Sequence, residues 1–465
     1  MGARMSMNNQ SCNEFFDASQ SEARKRQRTS SSSLWDETAR LIPYLPDEIS
    51  IQILARLPRI CHFNAKLVSR TWRAALTSKE VYQVRKELGK TEAWLYVLTK
   101  LSGEKLVWHA LDPVNGAWLQ LPPMPSIDGF RRGLRLWNMV GSSIIGDTLR
   151  SWIRRRDASD NIPYCGCAIG AVDGCLYVVG GFFRASAMKS VWRFDPILNS
   201  WSEVAPMSVG RGYCKIGVLN NKLYVVGGVT WDPVGLTPLQ SAEMYDPCTD
   251  TWTKLPSMPF LKAQVLPTGF LSDLLKPMAT GLTSYAGKLY VPQSLYCWPF
   301  FVDVGGEVFD PVMNTWNEMP DGMAEGWPAR QAGTKLSVVV DEALYALDPS
   351  GSPDRVRIKV YDNGEDAWKT VGVDVPMRDI GDSDSPYLLT DCFGKLHVIA
   401  KDVNRNIVVV QADWRNQYGS GPSTSSGSFG DHLVNGLASS EEVWKVIATK
   451  NIGSSELVSC QILEI

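Results

Sequence analysis

The chain has 465 residues, 44% hydrophobic and 21% charged, so it holds enough apolar material for a folded core and is not disordered throughout. Its 47 basic and 49 acidic residues leave a net charge of -2, which excludes a global field suited to nucleic acid or an anionic membrane. The ten cysteines are scattered, and the closest pair, Cys165 and Cys167, lacks the further ligands of a zinc site. No apolar run approaches the roughly 18 residues of a membrane span, and no signal-peptide core stands at the start, so an intracellular protein, cytoplasmic and/or nuclear, is expected.

Residues 1–40 are dominated by Asn, Ser and Gln, with a basic cluster at Arg24-Lys25-Arg26-Gln27-Arg28. Too little apolar surface is present to offset chain entropy, which reads as a disordered basic and Ser-rich tail. The cluster has the composition of a nuclear import signal or of a solvated tail, and Met1-Gly2 with Ser6 fits the loose N-myristoylation pattern.

Residues 41–90 turn to helical periodicity. Leu45-Pro46-Asp47-Glu48 supplies a stop and an acidic first turn, and Ile49, Ile53, Leu54 and Leu57 follow at helical offsets before Pro58. A second apolar set, Phe63, Leu67, Val68, Trp72 and Leu76, lies among Lys66, Arg70 and Arg73. Two or three short amphipathic helices are expected, too few to stand without packing on a neighbour or partner.

Leu45-Pro46-x-x-Ile49 through Leu57-Pro58, followed by Leu67-Val68-Ser69-Arg70-Thr71-Trp72-Arg73, resembles an F-box. The resemblance implies docking on a Skp-type adaptor and, through it, on a cullin-based ubiquitin ligase. By position it makes Leu45, Pro46, Ile49, Ile53, Leu57, Pro58, Leu67, Val68 and Trp72 the adaptor-binding residues. Between the two halves of the motif, Arg59-Ile60-Cys61-His62-Phe63-Asn64 departs from the more apolar family pattern.

From Ala93 onward strand signals take over. Leu95-Tyr96, Leu176-Tyr177, Leu223-Tyr224, Leu289-Tyr290, Leu344-Tyr345 and Leu396-His397 each sit in a β-rich run, 17 to 23 residues before an aspartate. Five of those aspartates precede a tryptophan by six positions: Asp112 and Trp118, Asp195 and Trp201, Asp246 and Trp252, Asp310 and Trp316, Asp362 and Trp368. Asp opens a tight turn and Trp is a large apolar anchor, so each unit predicts strands joined by a turn of constant length. A repeat of about 50 residues with this content resembles the kelch repeat, whose unit is one four-stranded propeller blade.

The third unit shows all four strands: Tyr213 to Leu219, Lys222 to Val226, Ala242 to Tyr245, and Thr251 to Lys254. The first unit lacks an inner strand, whereas Glu456–Ile465 is a strand without a blade, so the last strand is expected to complete the first blade. In the sixth unit Glu442–Ile447 matches an outer strand, reached across a Ser- and Gly-rich insert at about residues 415–440. The expected architecture is a small all-α F-box-like domain followed by an all-β six-bladed kelch-type propeller over residues 91–465.

Strand alternation puts the Asp-to-Trp turns on one face and the variable connections on the other. The latter carry Arg131, Arg132 and Arg135, then Phe182, Phe183 and Arg184, and further on Trp231 and Trp298. Arg and aromatics on loops of a rigid scaffold mark them as candidates for target binding. The expected function is a substrate receptor that holds a target protein near the ligase, with no catalytic residue, cofactor or metal, and with neither nucleic acid nor membrane as partner. The alternatives are a kelch-type metal-dependent enzyme and a cytoskeletal or scaffold adaptor. Four histidines, His62, His109, His397 and His432, share no motif spacing that would favour the enzyme.

Overall fold

The computed structural model describes residues 40–101, 105–125, 164–183, 186–232, 235–261, 277–297, 300–327, 337–348, 356–371, 375, 387–412 and 443–465. Nearly all of the expected tail, the segment with Arg131, Arg132 and Arg135, and the insert at 415–440 lie outside these.

Four short helices come first: α1 (Asp47–Ala55), α2 (Arg59–Ala65), α3 (Arg70–Leu76) and α4 (Lys79–Glu87). The second apolar set of the sequence is thus divided between α2 and α3. The break falls at Ser69, whose extended backbone and side chain cap α3 by accepting the Trp72 N–H at 3.0 Å. The chain divides into two compact units after Ser50. In the first, the Leu41 N–H donates to Asp47 and the Ser50 hydroxyl to the Pro46 carbonyl, both at 3.0 Å.

Among the described residues the second unit holds eight antiparallel sheets, six of them blades and two of them two-stranded hairpins. Blade 1 takes its inner strand from Glu456–Glu464, followed outward by Ala93–Lys100, Leu106–Asp112 and Ala117–Gln120. Blade 2 runs Ala168–Val172, Cys175–Val179, Val191–Asp195, Ser200–Val204. Blade 3 runs Lys215–Leu219, Lys222–Val226, Ala242–Asp246, Thr251–Leu255. Its inner strand starts two residues later than the sequence predicts, because Tyr213 adopts a left-handed φ of 54° and turns away from the sheet.

Blade 4 pairs Lys288–Cys297 with Phe300–Asp310 and then Thr315–Glu318. Its inner position is shared by Pro277–Ala279 and Thr283–Tyr285. Pro292, which lacks an N–H, sits beside the register shift of this long pair. A one-turn helix, α5 (Asp321–Glu325), follows it. Blade 5 runs Ser337–Val340, Ala343–Asp348, Arg357–Asp362, Ala367–Thr370. Blade 6 runs Leu388–Cys392, Lys395–Lys401, Asn406–Ala412, Trp444–Asn451, its outer strand lying slightly later than Glu442–Ile447. Inner strands of successive blades touch in cyclic order, and that of blade 6 meets that of blade 1, so the ring is closed.

Each Asp-to-Trp segment is an Asx turn. The Oδ1 atoms of Asp112, Asp195, Asp310 and Asp362 each accept two backbone N–H groups at 2.8–3.3 Å, and that of Asp246 accepts the Cys248 N–H at 2.9 Å. The residue four beyond each aspartate, Gly116, Asn199, Asp250, Asn314 or Asp366, has φ between 46° and 65°, which Gly, Asn and Asp tolerate best. The tryptophan then reaches the preceding blade. The indole N–H groups of Trp201, Trp252, Trp316 and Trp368 donate to the carbonyls of Pro122, Ala205, Pro256 and Met323 at 2.7–3.1 Å.

The tyrosines of the Leu-Tyr pairs work between blades in the other direction. Tyr96 packs on Phe194, Tyr177 on Tyr245 and Tyr224 on Phe309, with ring centroids 5.6–6.4 Å apart. The Gly-Gly ends of two second strands permit equally close backbone packing. At Gly180 an added Cβ would lie 2.3 Å from the Arg211 carbonyl, and at Gly228 2.6 Å from that of Gly212.

Candidate functional site

Helix α2 faces two ways. On one side Arg59, His62 and Ala65 are buried. The Arg59 guanidinium lies 4.9 Å from the Trp94 ring centroid and donates to the Tyr96 hydroxyl at 2.9 Å and to the Pro196 carbonyl at 3.5 Å. Lys66 donates to the Ile197 carbonyl at 2.6 Å. Pro196 and Ile197 belong to the Asx turn of blade 2, so α2 is seated on the face that carries those turns. Burial, and then the charge of Arg85, hold His62 down at about 4, so its ring is neutral at physiological pH. Its nitrogens lie 3.3 Å from the Tyr82 hydroxyl and 3.2 Å from the Leu57 carbonyl. Within the stretch 59–64 that departs from the F-box pattern, Arg59 and Ile60 are turned toward the ring, Ile60 packing with the apolar cluster of blades 1 and 2, His62 is buried against Tyr82 and Leu57, and Cys61, Phe63 and Asn64 are exposed.

The other side is open. Phe63 is exposed, and Leu67 and Val68, in the turn after α2, are 72% and 64% exposed. Ile49 and Ile53, four apart in α1, are 43% and 40% exposed. Pro46 and Pro58 are exposed, and Leu45, Leu57 and Trp72 half-buried. Within the second unit, Phe63, Leu67 and Val68 thus expose apolar side chains within six residues of one another.

On the opposite face the connections between second and third strands rise as hairpins: Phe182–Phe183 with Ser186–Ala187, Val229–Asp232 with Gly235–Pro238, and the extended pair of blade 4. Here one expectation is corrected. Phe182, a candidate for target binding, is only 6% exposed; its ring lies 6.1 Å from that of Tyr213 and clusters with Val229 and Met278. A Cβ on Gly212 would overlap that ring, so the position opposite is glycine. Trp231 lies half-buried at the margin of the same cluster, and Phe183 is half-buried. Arg184, Trp298, Arg131, Arg132 and Arg135 lie outside the residues whose side chains are described.

Behind the hairpins is an ion pair that the sequence did not announce. Arg211 and Glu243, both buried, meet at 2.6 Å, and Arg211 also donates to the Gly227 and Ser241 carbonyls at 3.0 and 2.8 Å. Burial works to raise the Glu243 carboxyl, but bonds from Arg211 and the Ser208 N–H outweigh it and hold it below the usual carboxylate range. Every oxygen of that carboxylate is occupied, which suits a role in tying blades 2 and 3 together rather than in chemistry. Among the described residues no three His, Cys, Asp or Glu side chains converge as a metal site. His62, His109 and His397 lie in α2, blade 1 and blade 6.

A helical segment of F-box spacing seated on a six-bladed propeller defines a class: an interaction protein of the substrate-adaptor type. Comparison with known proteins agrees at both ends. The F-box domain model matches residues 42–84, and the Kelch motif model matches 163–208 and 210–259, which are blades 2 and 3. The F-box/kelch-repeat protein At1g22040 of Arabidopsis thaliana is 60% identical over 453 residues, covering 96% of this chain and 95% of that protein. F-box/kelch-repeat protein At1g30090 of the same plant is 28% identical over 66% of this chain and 64% of its own length, and F-box protein AFR 28% identical over 67% and 69%. The chain belongs to the F-box/kelch-repeat family.

Proposed function

We propose that this protein is the substrate-receptor subunit of a Skp-cullin-F-box ubiquitin ligase, working in the cytoplasm and/or nucleus. The α1–α3 segment binds a Skp-type adaptor and the propeller's hairpin face captures a target protein. The chain itself makes and breaks no bond. It acts by proximity, raising the effective concentration of the target beside the ubiquitin-charged enzyme. The observation that carries the reading is the exposure of Leu67 and Val68 on a helical segment whose other side is anchored to the ring. The hairpins leave the opposite face, so adaptor and target do not compete for surface.

The test is co-purification with a Skp-type adaptor. Leu67→Asp with Val68→Asp is expected to abolish the complex, because two charges would be desolvated at the contact, while the melting of the ring is unchanged. Undiminished complex formation by a folded variant would overturn the reading.

A further inference from the structure

Glu92 lies between α4 and the first strand of blade 1, where a lone carboxylate in sequence attracts no notice. In the fold three parts of the protein meet on it. Its Oε1 accepts the Arg59 N–H, at the first turn of α2, at 2.9 Å, and the Arg85 guanidinium of α4 at 3.0 Å. Its Oε2 accepts the Trp94 indole N–H at 3.3 Å. Its backbone pairs in both directions with Ile465, N–H to carbonyl at 2.9 Å and carbonyl to N–H at 3.0 Å, so it is also clamped to the ring-closing strand. Arg85 in turn donates to the Ala55 and Leu57 carbonyls at 2.9 and 2.5 Å, gathering the end of α1 into the same knot.

The arginine is 1% exposed and the glutamate 28%, so this pair keeps far more of its strength than a surface bridge. Apolar contacts at the joint include Ile60 and Tyr82, which pack against the cluster of blades 1 and 2. Such contacts resist separation but tolerate sliding, whereas a carboxylate that accepts from two helices and the strand below sets an angle.

We propose that Glu92 is a positioning residue that fixes the orientation of α2–α4 on the propeller, and so where a captured target stands relative to the adaptor. The functional half rests on the substrate-receptor reading; the geometric half does not. Leu67 and Val68, which the receptor reading gives to the adaptor, and the ring-facing residues Arg59, Ile60 and Lys66 share one short stretch. Rotation at the joint therefore carries the adaptor surface with it.

The experiment measures spin-label distances in the full chain between Lys86→Cys on α4 and Thr253→Cys on the outer strand of blade 3, with the exposed Cys61 and Cys248, and also Cys12 and Cys297, changed to Ser. A single narrow distribution is expected with Glu92 intact. Glu92→Ala is expected to lose it to a broad one while the cooperative unfolding of the ring persists. A distribution as narrow as that of the parent overturns the proposal and leaves the orientation to the Arg59, Lys66 and apolar contacts. Should Glu92→Ala fail to fold, Glu92→Gln decides by the same criterion, since it keeps the shape and loses the charge that holds Arg85. With adaptor and ligase added, Glu92→Ala should retain adaptor binding but transfer ubiquitin to a target roughly tenfold more slowly. Failure of the parent chain to bind any Skp-type adaptor would sink the receptor reading while leaving the distance result intact.

Discussion

Tyr245 and Asp250 vary as a pair across the repeat. The Tyr245 hydroxyl donates to Asp250 Oδ1 at 2.7 Å, and the same oxygen accepts the Ala205 N–H of the preceding blade at 2.9 Å. Blade 5 repeats this: Tyr361 donates to Asp366 at 2.7 Å, and Asp366 accepts the Gly322 and Met323 N–H groups at 2.9 and 3.0 Å. Blades 2 and 4, with Phe194 and Phe309 before the aspartate, carry Asn199 and Asn314 instead, and blade 1 has Leu111 with Gly116. A buried hydroxyl needs an acceptor, and where the ring lacks one the carboxylate gives way to a neutral residue that still tolerates the left-handed turn. Burial, and then the bond to Asp250, push the Tyr245 phenol well above its ordinary range, so it stays a donor at any physiological pH. Tyr245→Phe is expected to cost about 1 kcal/mol, and Tyr245→Phe with Asp250→Asn to cost less than the sum of the two single changes by about 0.5 kcal/mol or more. Urea unfolding of the four proteins measures the coupling, and strict additivity would refute it.

At the scale of the blade, the tryptophan of the turn is a staple whose partner is set by the neighbour's chain path. Trp118, Trp201 and Trp252 are each followed at the fourth position by Pro122, Ala205 and Pro256, and those carbonyls take the indole N–H of the next blade's tryptophan. In blade 4 the acceptor moves on to Met323, because α5 intervenes. Trp118 is the exception: its buried Nε1 has no partner among the described residues, and Lys450 lies 5.8 Å from its ring centroid instead. Changing Trp to Phe removes similar ring area at either site but removes a bond only at Trp252. Trp252→Phe is therefore expected to destabilise by about 1 kcal/mol more than Trp118→Phe in chemical denaturation; equal losses would show that area alone ties blades together. These turns were legible because their chemistry is complete within seven residues, and the Leu-Tyr strands because alternation marks them. Leu67 and Val68 stand out in sequence for the same reason, as part of a compact motif, and both are exposed in the fold. Phe182 was misread because nothing local shows Gly212 making room for it. Arg211 and Glu243 lie 32 residues apart and Arg59 and Glu92 33, so their pairing exists only in the folded chain.

For the molecule as a whole, the decisive contact joins the two ends of the propeller sequence. Residues Glu456–Glu464 pair with Ala93–Lys100 from Ala93 opposite Glu464 to Lys100 opposite Glu456, with one bulge beside Thr99. Leu463 and Ile465 enter the cluster between blades 1 and 2, while Leu457 and Cys460 enter that between blades 1 and 6. The Gln461 side chain donates to the Ile169 carbonyl of blade 2 at 2.9 Å. Closing so long a loop sounds costly, but each doubling of loop length adds only about 0.6 kcal/mol, and one buried leucine returns roughly 1.5–3 kcal/mol. Closure is thus favoured by few side chains, and it removes the open strand edge that a linear array of blades would expose. Because each blade is held chiefly by its neighbours, opening the ring unpins blades 1, 2 and 6 together rather than one strand. Leu463→Ala, which leaves the pairing in place, is expected to cost about 2–5 kcal/mol and to preserve a single unfolding transition. Deleting residues 456–465 should instead abolish the single cooperative transition seen by circular dichroism and produce aggregates on size exclusion. Adding the 456–465 peptide in trans should restore part of the monomeric peak. A truncated chain that stays monomeric and melts with the parent would show that the ring is held by its blades alone and that the last strand only decorates it.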